Sequence, residues 1–404
     1  MKRLCLILSL LLLLSGCRKL EEPPISDPPK ETTVETEIET EVTTEAVTDA
    51  ETEPEPAPSN DGVVSIIMAG DVLLHDKIAA SGKMEDGTYN YSHLFANVKT
   101  DIESADIAIV NQEVILGGKE LGLTGYPSFN GAYEVGDALV ESGFDIVLHA
   151  TNHALDKGRK GLLSCISFWE SSYPNIAYLG IHETKEHSEN IYITEKEGIR
   201  FAVLNYTYGT NGIPLPSDMP YCVDLLNEAK VRADIARAKE VSDFVIVCPH
   251  WGTEYILTPD ANQKWWTDLF FECGVDLVLG THPHVIEPVE VIENEEHSMT
   301  VFYSIGNFVN ATAQTGAGIA NRMVGALAEV TVTKTESDVI ISEYGVTPIV
   351  SHVKSGPAAP TVYKLSDYTE ELASQNEIVA SDSAFSLQYC IDLCEKVFGE
   401  LFAS

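Results

Sequence analysis

Eight side chains in this sequence are of the kinds that hold metal ions or move protons, and they fall at matched places: Asp71, Asn111, Glu113, Asn152, His153, His250, His282 and His284. Imidazoles bind transition metals, while carboxylates add charge and can bridge two ions. Asp71 and Glu113 supply part of the negative charge that a pair of divalent ions needs. Neutral Asn152 can lend its carbonyl oxygen to one ion. His282 and His284 stand two apart around Pro283, so both rings can face one site if the backbone turns there. Taken singly, each residue has a plain reading. Asp71 after Gly70 could cap a helix, as could Asn152, and one histidine in a loop is most often a surface residue. Recurrence is what argues for a shared site.

The recurrence lies in the elements that carry these residues. Val63–Met68 runs into Ala69-Gly70-Asp71, and Ile107–Val110 into Asn111-Gln112-Glu113. Ile146–Leu148 runs into His149-Ala150-Thr151-Asn152-His153, Phe244–Val247 into Cys248-Pro249-His250, and Leu277–Leu279 into Gly280-Thr281-His282-Pro283-His284. Short, continuous apolar runs of this kind suit strands buried on both faces. Helical stretches precede three of them: Tyr133–Ser142 with Gly143 as its cap, Leu225–Val241, and Gln263–Cys273 followed by Gly274. Further strands are expected at Arg200–Asn205, Thr300–Ser304, Gly325–Thr333 and Asp338–Tyr344, the last two as an antiparallel pair. Residues 383–403 read as a closing amphipathic helix. Strands alternating with helices give an α/β fold, and in such sheets ligands collect beyond the carboxyl ends of the strands.

At this point the sequence resembles the CapA family, the poly-γ-glutamate capsule synthesis proteins. The resemblance rests on Ala69-Gly70-Asp71-Val72, Asn111-Gln112-Glu113, Thr151 to Gly158, His250-Trp251-Gly252-Thr253-Glu254-Tyr255, Gly280 to Val285, and Tyr303-Ser304-Ile305-Gly306-Asn307-Phe308. It covers about residues 62–350. The family's domain is similar to the calcineurin-like metallophosphoesterases, which implies a sandwich of two mixed β-sheets flanked by helices. By the same resemblance Asp71, Glu113, Asn152, His250, His282 and His284 are metal ligands, with Glu113 as the bridging carboxylate. His153 corresponds to the residue that protonates a leaving group. Asp156 would orient the His153 ring, or would simply complement a helix N-terminus. His75, Asn111 and Asn307 are expected to support the ligands. The implied cofactors are one or two divalent ions, of the manganese, iron or zinc kind.

The chain also departs from the metallophosphoesterase pattern. No histidine lies two after Asp71; His75 is four away. Asn111-Gln112-Glu113 replaces a Gly-Asp-x-x-Asp, and Ala154 replaces an acid. These departures leave a one-ion site open beside a two-ion site. Trp251, Tyr255, Trp265 and Trp266 either line a substrate wall or belong to the core.

The N-terminal segments belong to a different argument. Lys2 and Arg3 precede the apolar run Leu6–Leu14, which ends in Leu14-Ser15-Gly16-Cys17. This is a secretion-signal pattern, and its end resembles the bacterial lipobox. Residues 1–17 are therefore expected to be a signal peptide with Cys17 as the lipid-acceptor residue. That implies an extracytoplasmic location, anchored to the membrane by lipid. Residues 18–60 hold thirteen acidic side chains against Arg18, Lys19 and Lys30, with no aromatic. Such a segment cannot bury enough apolar surface to order itself, so it reads as a disordered tether that spans cell-wall polymer or simply spaces. Residues 61–350 are assigned to the metallophosphatase-like domain and residues 351–404 to an extension packing on it and ending in a helix. The cysteines beyond Cys17 include no C-x-x-C pair, and they read as small buried apolar residues rather than disulfides.

A formal net charge of −37 disfavours nucleic acid and anionic lipid headgroups. Two functions remain. The first is a metal-dependent hydrolase of a phosphoester, or of another ester or amide, on a small substrate or an extracellular polymer. The second is a non-hydrolytic, metal-dependent role in handling or exporting poly-γ-glutamate beside the synthesis and export machinery.

Overall fold

The structure is a computed structural model, and it describes residues 62–354 and 360–403. The expected signal peptide, Cys17 and the acidic tether lie outside the described residues.

Among the described residues, fourteen strands form two sheets. They are β1 (Val63–Val72), β2 (Ile107–Asn111), β3 (Ile146–Leu148), β4 (Ala177–Leu179), β5 (Tyr192–Lys196), β6 (Ile199–Thr207), β7 (Phe244–His250), β8 (Leu277–Leu279), β9 (Val289–Glu293), β10 (Ser298–Phe302), β11 (Asn307–Val309), β12 (Val324–Lys334), β13 (Val339–His352) and β14 (Thr361–Lys364). The first sheet has the order β14-β13-β12-β1-β2-β3-β4, with β11 also paired to β1; the second has the order β5-β6-β7-β8-β10-β9. Each is mixed. β1 to β4 run parallel while β12, β13 and β14 are antiparallel to their neighbours. In the second sheet β6, β7, β8 and β10 are parallel and β5 and β9 close the edges antiparallel.

Alternation along the strands shows how the layers stack. Val64, Ile66 and Met68 of β1 share a core with Phe201 and Val203 of β6, Ile246 of β7 and Leu279 of β8. The intervening residues Ile67 and Ala69 face the other way, onto helices. A period of two that is apolar on both faces is what a strand covered on both sides requires. Helix α1 (Tyr133–Glu141) and helix α2 (Gly158–Ser172) cover the first sheet, through Val135, Leu162, Cys165 and Trp169. Helix α3 (Glu228–Val241) and helix α4 (Ala261–Cys273) cover the second, through Ile235, Trp266 and Phe270. The expected α/β sandwich of two mixed sheets flanked by helices is therefore what forms.

Local chemistry explains the boundaries. Asn227 caps α3 by accepting from the Lys230 amide, because Leu226 is still hydrogen-bonded alongside β6 through Thr207. The helix thus starts later than the expected Leu225. Asp260 and Gln263 form a reciprocal capping box at the start of α4, and Gly274 ends it in the left-handed conformation. The expected closing helix over 383–403 is interrupted. It forms as α5 (Leu387–Phe398), capped by Ser386, and Gly399 at φ 56° separates it from a short turn at Glu400–Ala403. β13 runs through residue 350, and β14 and α5 join the same core as the first sheet. The six cysteines of the described residues are free, and all but Cys273 are buried.

One close approach shapes the site end of the fold. β11 lies beside β1 with Asp71 opposite Asn307, and the Asp71 amide donates to the Gly306 carbonyl at 3.1 Å. A Cβ at Gly70 would collide with that carbonyl. Gly70→Ala is therefore expected to lower stability by about 1–3 kcal/mol, the usual effect of overpacking. Gly209→Ala, where a Cβ meets nothing within 4 Å, should leave it nearly unchanged. Urea unfolding of both variants makes the comparison; equal midpoints would show that β1 and β11 do not approach as described.

Candidate metal centre

The strand ends deliver the donors from two directions. Asp71 ends β1, Glu113 lies two residues past β2, and Asn152 and His153 lie in the loop after β3. These come from the first sheet and are oxygen donors, apart from His153. His250 is the last residue of β7, and His282 and His284 follow β8. These come from the second sheet and are all imidazoles. His282 and His284 adopt positive φ, 98° and 59°, on either side of Pro283. That is a strained conformation for a side chain with a Cβ. It turns the two rings together, at 5.6 Å between centroids. The Tyr255 amide holds the turn by donating to the Pro283 carbonyl at 2.7 Å.

Two donor triplets result, Asp71–Glu113–His284 and Glu113–His250–His282, each with its ligand atoms within 4.8 Å of one another. Glu113 belongs to both. Its Oε1 lies 3.6 Å from His284 Nε2 and 3.9 Å from His250 Nε2. His284 Nδ1 lies 3.3 Å from Asp71 Oδ2, and Asn152 Oδ1 is 2.9 Å from His250 Nε2. The expected ligands therefore meet in one place. A third triplet brings in Glu254 with His282 and His284. Glu254 sits inside the His250–Tyr255 motif but follows no apolar run, so the strand-end pattern did not single it out.

The electrostatics of this cluster suit a cation. Glu113 is fully buried, and neither of its carboxylate oxygens has a hydrogen-bond partner; His282 Nδ1 is likewise unpartnered. A buried, unpaired carboxylate is costly. Burial pushes the Glu113 carboxyl well above the ordinary range, against the opposing pull of His284. Burial, and then the neighbouring imidazoles, hold His250 and His282 well below their usual range, so both are neutral and present lone pairs. Burial also works against charge on His284, but Glu113 and Asp71 outweigh it and raise that ring to about 9. Two buried carboxylates, two neutral imidazoles and a third ring that only the carboxylates keep protonated are a donor set that a divalent transition metal fits, the ion taking the place of the His284 proton.

The supporting positions divide. Asn111 Nδ2 donates to Asp71 Oδ1 at 2.7 Å and fixes that carboxylate. Asn307 holds His284 from two sides, with Oδ1 3.1 Å from Nδ1 and Nδ2 donating to the His284 carbonyl at 3.0 Å. His75 joins no donor triplet. It stacks edge-on against Phe129 and lines the cleft outside, with its ring pushed down to about 4, first by burial and then by His284. Trp251 and Trp266 belong to the core and Trp265 is half exposed, so of the four aromatics only Tyr255 lines the cleft.

His153 stands at the rim. Its Nε2 is 3.8 Å from Glu113 Oε1, and its Nδ1 is 2.7 Å from Asp156 Oδ2. Asp156 also accepts from the Phe129 amide at 2.7 Å, and the Phe129 ring packs edge-on to His153 at 4.8 Å. Asn211, which no motif pointed to, lies 3.4 Å from His153 Nδ1 and bonds Asn152. A cleft of about 500 Å³ opens from His153 and His284 to solvent.

The sequence of this folded part matches the model of the bacterial capsule synthesis protein PGA_cap over residues 65–312, more than half of the chain. The chain belongs to the PGA_cap family. Two curated relatives agree. The PGA biosynthesis protein CapA of Bacillus subtilis (strain 168) is 30% identical over 181 residues, which are 42% of this chain and 44% of that one. The capsule biosynthesis protein CapA of Bacillus anthracis is 26% identical over 255 residues, 61% of this chain and 59% of that one. The chain thus spans about half the length of the curated relatives it matches. Solved structures that align with this PGA_cap protein include the calcineurin-like phosphoesterase YfkN from Bacillus subtilis, at 13% identity and a TM-score of 0.38 over 82% of this chain and 99% of that one. A 5'-nucleotidase precursor from Thermus thermophilus aligns at 12% identity and a TM-score of 0.42, over 71% of this chain and 54% of that one. Likeness at that level is faint.

Because both triplets share Glu113, its loss should disturb more than one ion. The chain purified without chelator is expected to carry about one to two divalent transition-metal ions, and Glu113→Gln to lose most of them. Elemental analysis reads the result; a wild type with no metal after loading would remove the metal centre.

Proposed function

We propose that this protein is a metal-dependent hydrolase of a phosphoester or related ester bond, working in capsule polymer biosynthesis. One observation carries the reading: a histidine whose far nitrogen is bound to a buried aspartate points its near nitrogen at the rim of a metal-type donor cluster. Asp71, Glu113, Asn152, His250, His282 and His284 would hold divalent cations, which when bound would supply Lewis acidity toward an ester oxygen and lower the pKa of water. The protein's own groups supply the rest. Asp156 fixes the ring of His153 and favours the proton on Nδ1, which leaves Nε2 to exchange a proton with a leaving oxygen in the cleft. Phe129 shields that pair from water on one side. Asn111 and Asn307 keep Asp71 and His284 in place while charge changes. The printed names of the two curated relatives support the capsule context, and the strongly negative overall charge favours a small or cation-masked substrate over a free polyanion.

His153→Ala is expected to reduce turnover at least about 100-fold, the usual size of a general-acid contribution, without loss of metal. The assay uses the full chain with manganese, zinc or iron on a generic phosphodiester and phosphomonoester, with elemental analysis of the same samples. Metal-dependent polymer binding with no turnover on any ester would instead favour the non-hydrolytic handling of poly-γ-glutamate.

The N-terminal pattern supports a lipid-anchored, extracytoplasmic protein. No helix among the described residues is long and apolar enough to cross a membrane; on this reading Cys17 carries the lipid. Labelling with a radioactive fatty acid should mark the wild type and not Cys17→Ala. Label retained in the variant would remove the anchor.

A further inference from the structure

The cleft beside the donor cluster has a cation whose charge the fold leaves uncommitted. Arg322 is nine-tenths buried, yet its guanidinium makes no hydrogen bond and no ion pair among the described residues. It lies over the Tyr255 ring, with its central carbon 3.4 Å from the ring centroid. Tyr255 in turn faces His284 at 5.9 Å between centroids. Asp76 also lines the cleft and makes no ion pair with Arg322, and the remaining charges are met separately. Lys77 is paired with Glu377. His75 is held neutral by burial. Glu254 acts on Arg322 electrostatically from beyond ion-pair distance.

Most of the Arg322 side chain is buried, but its guanidinium nitrogens keep access to solvent, so water meets the donors that a bound anion would take over. Stacking on Tyr255 satisfies its face and leaves the N–H edge free, which is the geometry that binds carboxylate or phosphate in pairs of hydrogen bonds. The backbone shows that its place is set relative to the ligands. Asn307 Nδ2 donates both to the His284 carbonyl at 3.0 Å and to the Arg322 carbonyl at 2.9 Å, and Asn310 Nδ2 donates to the same Arg322 carbonyl at 3.2 Å. One amide side chain thus ties the arginine to a metal ligand. Arg322 also falls beyond the residues 65–312 matched by the family model.

The geometry points to Arg322 as a substrate-anchoring residue: it binds a second anionic group, carboxylate or phosphate, on a substrate whose reacting group sits at the donor cluster. The site on this account selects small dianionic esters in spite of the acidic surface, because one guanidinium held in the cleft acts locally where the net charge is screened. The inference rests on the hydrolase reading for the word substrate, but binding tests it without turnover.

The experiment is calorimetric titration of the full chain, loaded with manganese, with methylphosphonate, phosphonoacetate and methylenediphosphonate. The wild type is expected to bind at least one of the two doubly anionic probes about tenfold or more tighter than methylphosphonate, and the tighter of the two names the second group as carboxylate or phosphate. Arg322→Gln should bring all three within about threefold of one another, at unchanged metal content and thermal midpoint. Arg322→Lys should keep only part of the preference, since an ammonium lacks the fork; it also serves should the glutamine variant fail to fold. A preference that survives Arg322→Gln would mean that the second anion chelates metal itself, and would overturn the proposal. So would a wild type with no preference. An Arg322-dependent preference in a chain that cleaves no ester would remove the hydrolase reading and keep the anchor.

Discussion

A carboxylate that is sealed from water and offered no hydrogen-bond donor persists only beside positive charge. Glu113 is in that position, with Asp71 close by, the neutral ring of His250 on one side and the raised ring of His284 on the other. The rest of the site is arranged around this electrostatic demand. Asn111 and the His282 amide satisfy Asp71 so that it does not have to move. His284, the one ring raised rather than lowered, answers the carboxylates directly. Strained backbone at His282 and His284 is tolerated because it brings nitrogen to where the charge lies.

The fold meets this demand by letting two sheets end at the same place. Parallel strands, covered on both faces, leave polar side chains nowhere to go except past the strand ends, and the two sheets present those ends side by side. Close backbone contact makes the arrangement tight. Gly70 against Gly306, and Gly325 against Asn307, draw β1, β11 and β12 together so that Asn307 reaches the His284 ring. The cleft then takes its walls from loops rather than from the sheets, so its lining can vary without disturbing the donors.

Much of this was legible in the sequence because burial on both faces writes a simple signature. Val63–Met68 or Phe244–Val247 followed by a ligand-type residue gives strand, direction and site together. Asp71, Glu113, Asn152, His250, His282 and His284 are found that way, and the family resemblance arranged them. What was not legible depends on tertiary contact. Glu254 and Asn211 lie in loops with no apolar run ahead of them. Arg322 follows a Gly-rich stretch that says nothing about its neighbour, and only the folded chain sets it on Tyr255. His75 was expected beside the ligands, with a ligand role left open by its four-residue distance from Asp71, and the fold sets it in the cleft lining outside the donor triplets. Trp251 and Trp266 had the same types as a substrate wall, and burial assigns them to the core. Short edge strands such as β4 and β14 carry too few residues to show a period at all.

The division of donors between the sheets has a mechanical meaning. Oxygen donors come from the half of the domain made first, and the three imidazoles from the half made later, so no partial chain holds a complete set. An ion seated here acts as a clasp across the sandwich, and opening either sheet releases it. Occupancy would therefore report on finished assembly, and a sample stripped of an ion held here would also have lost a fastening between its two layers.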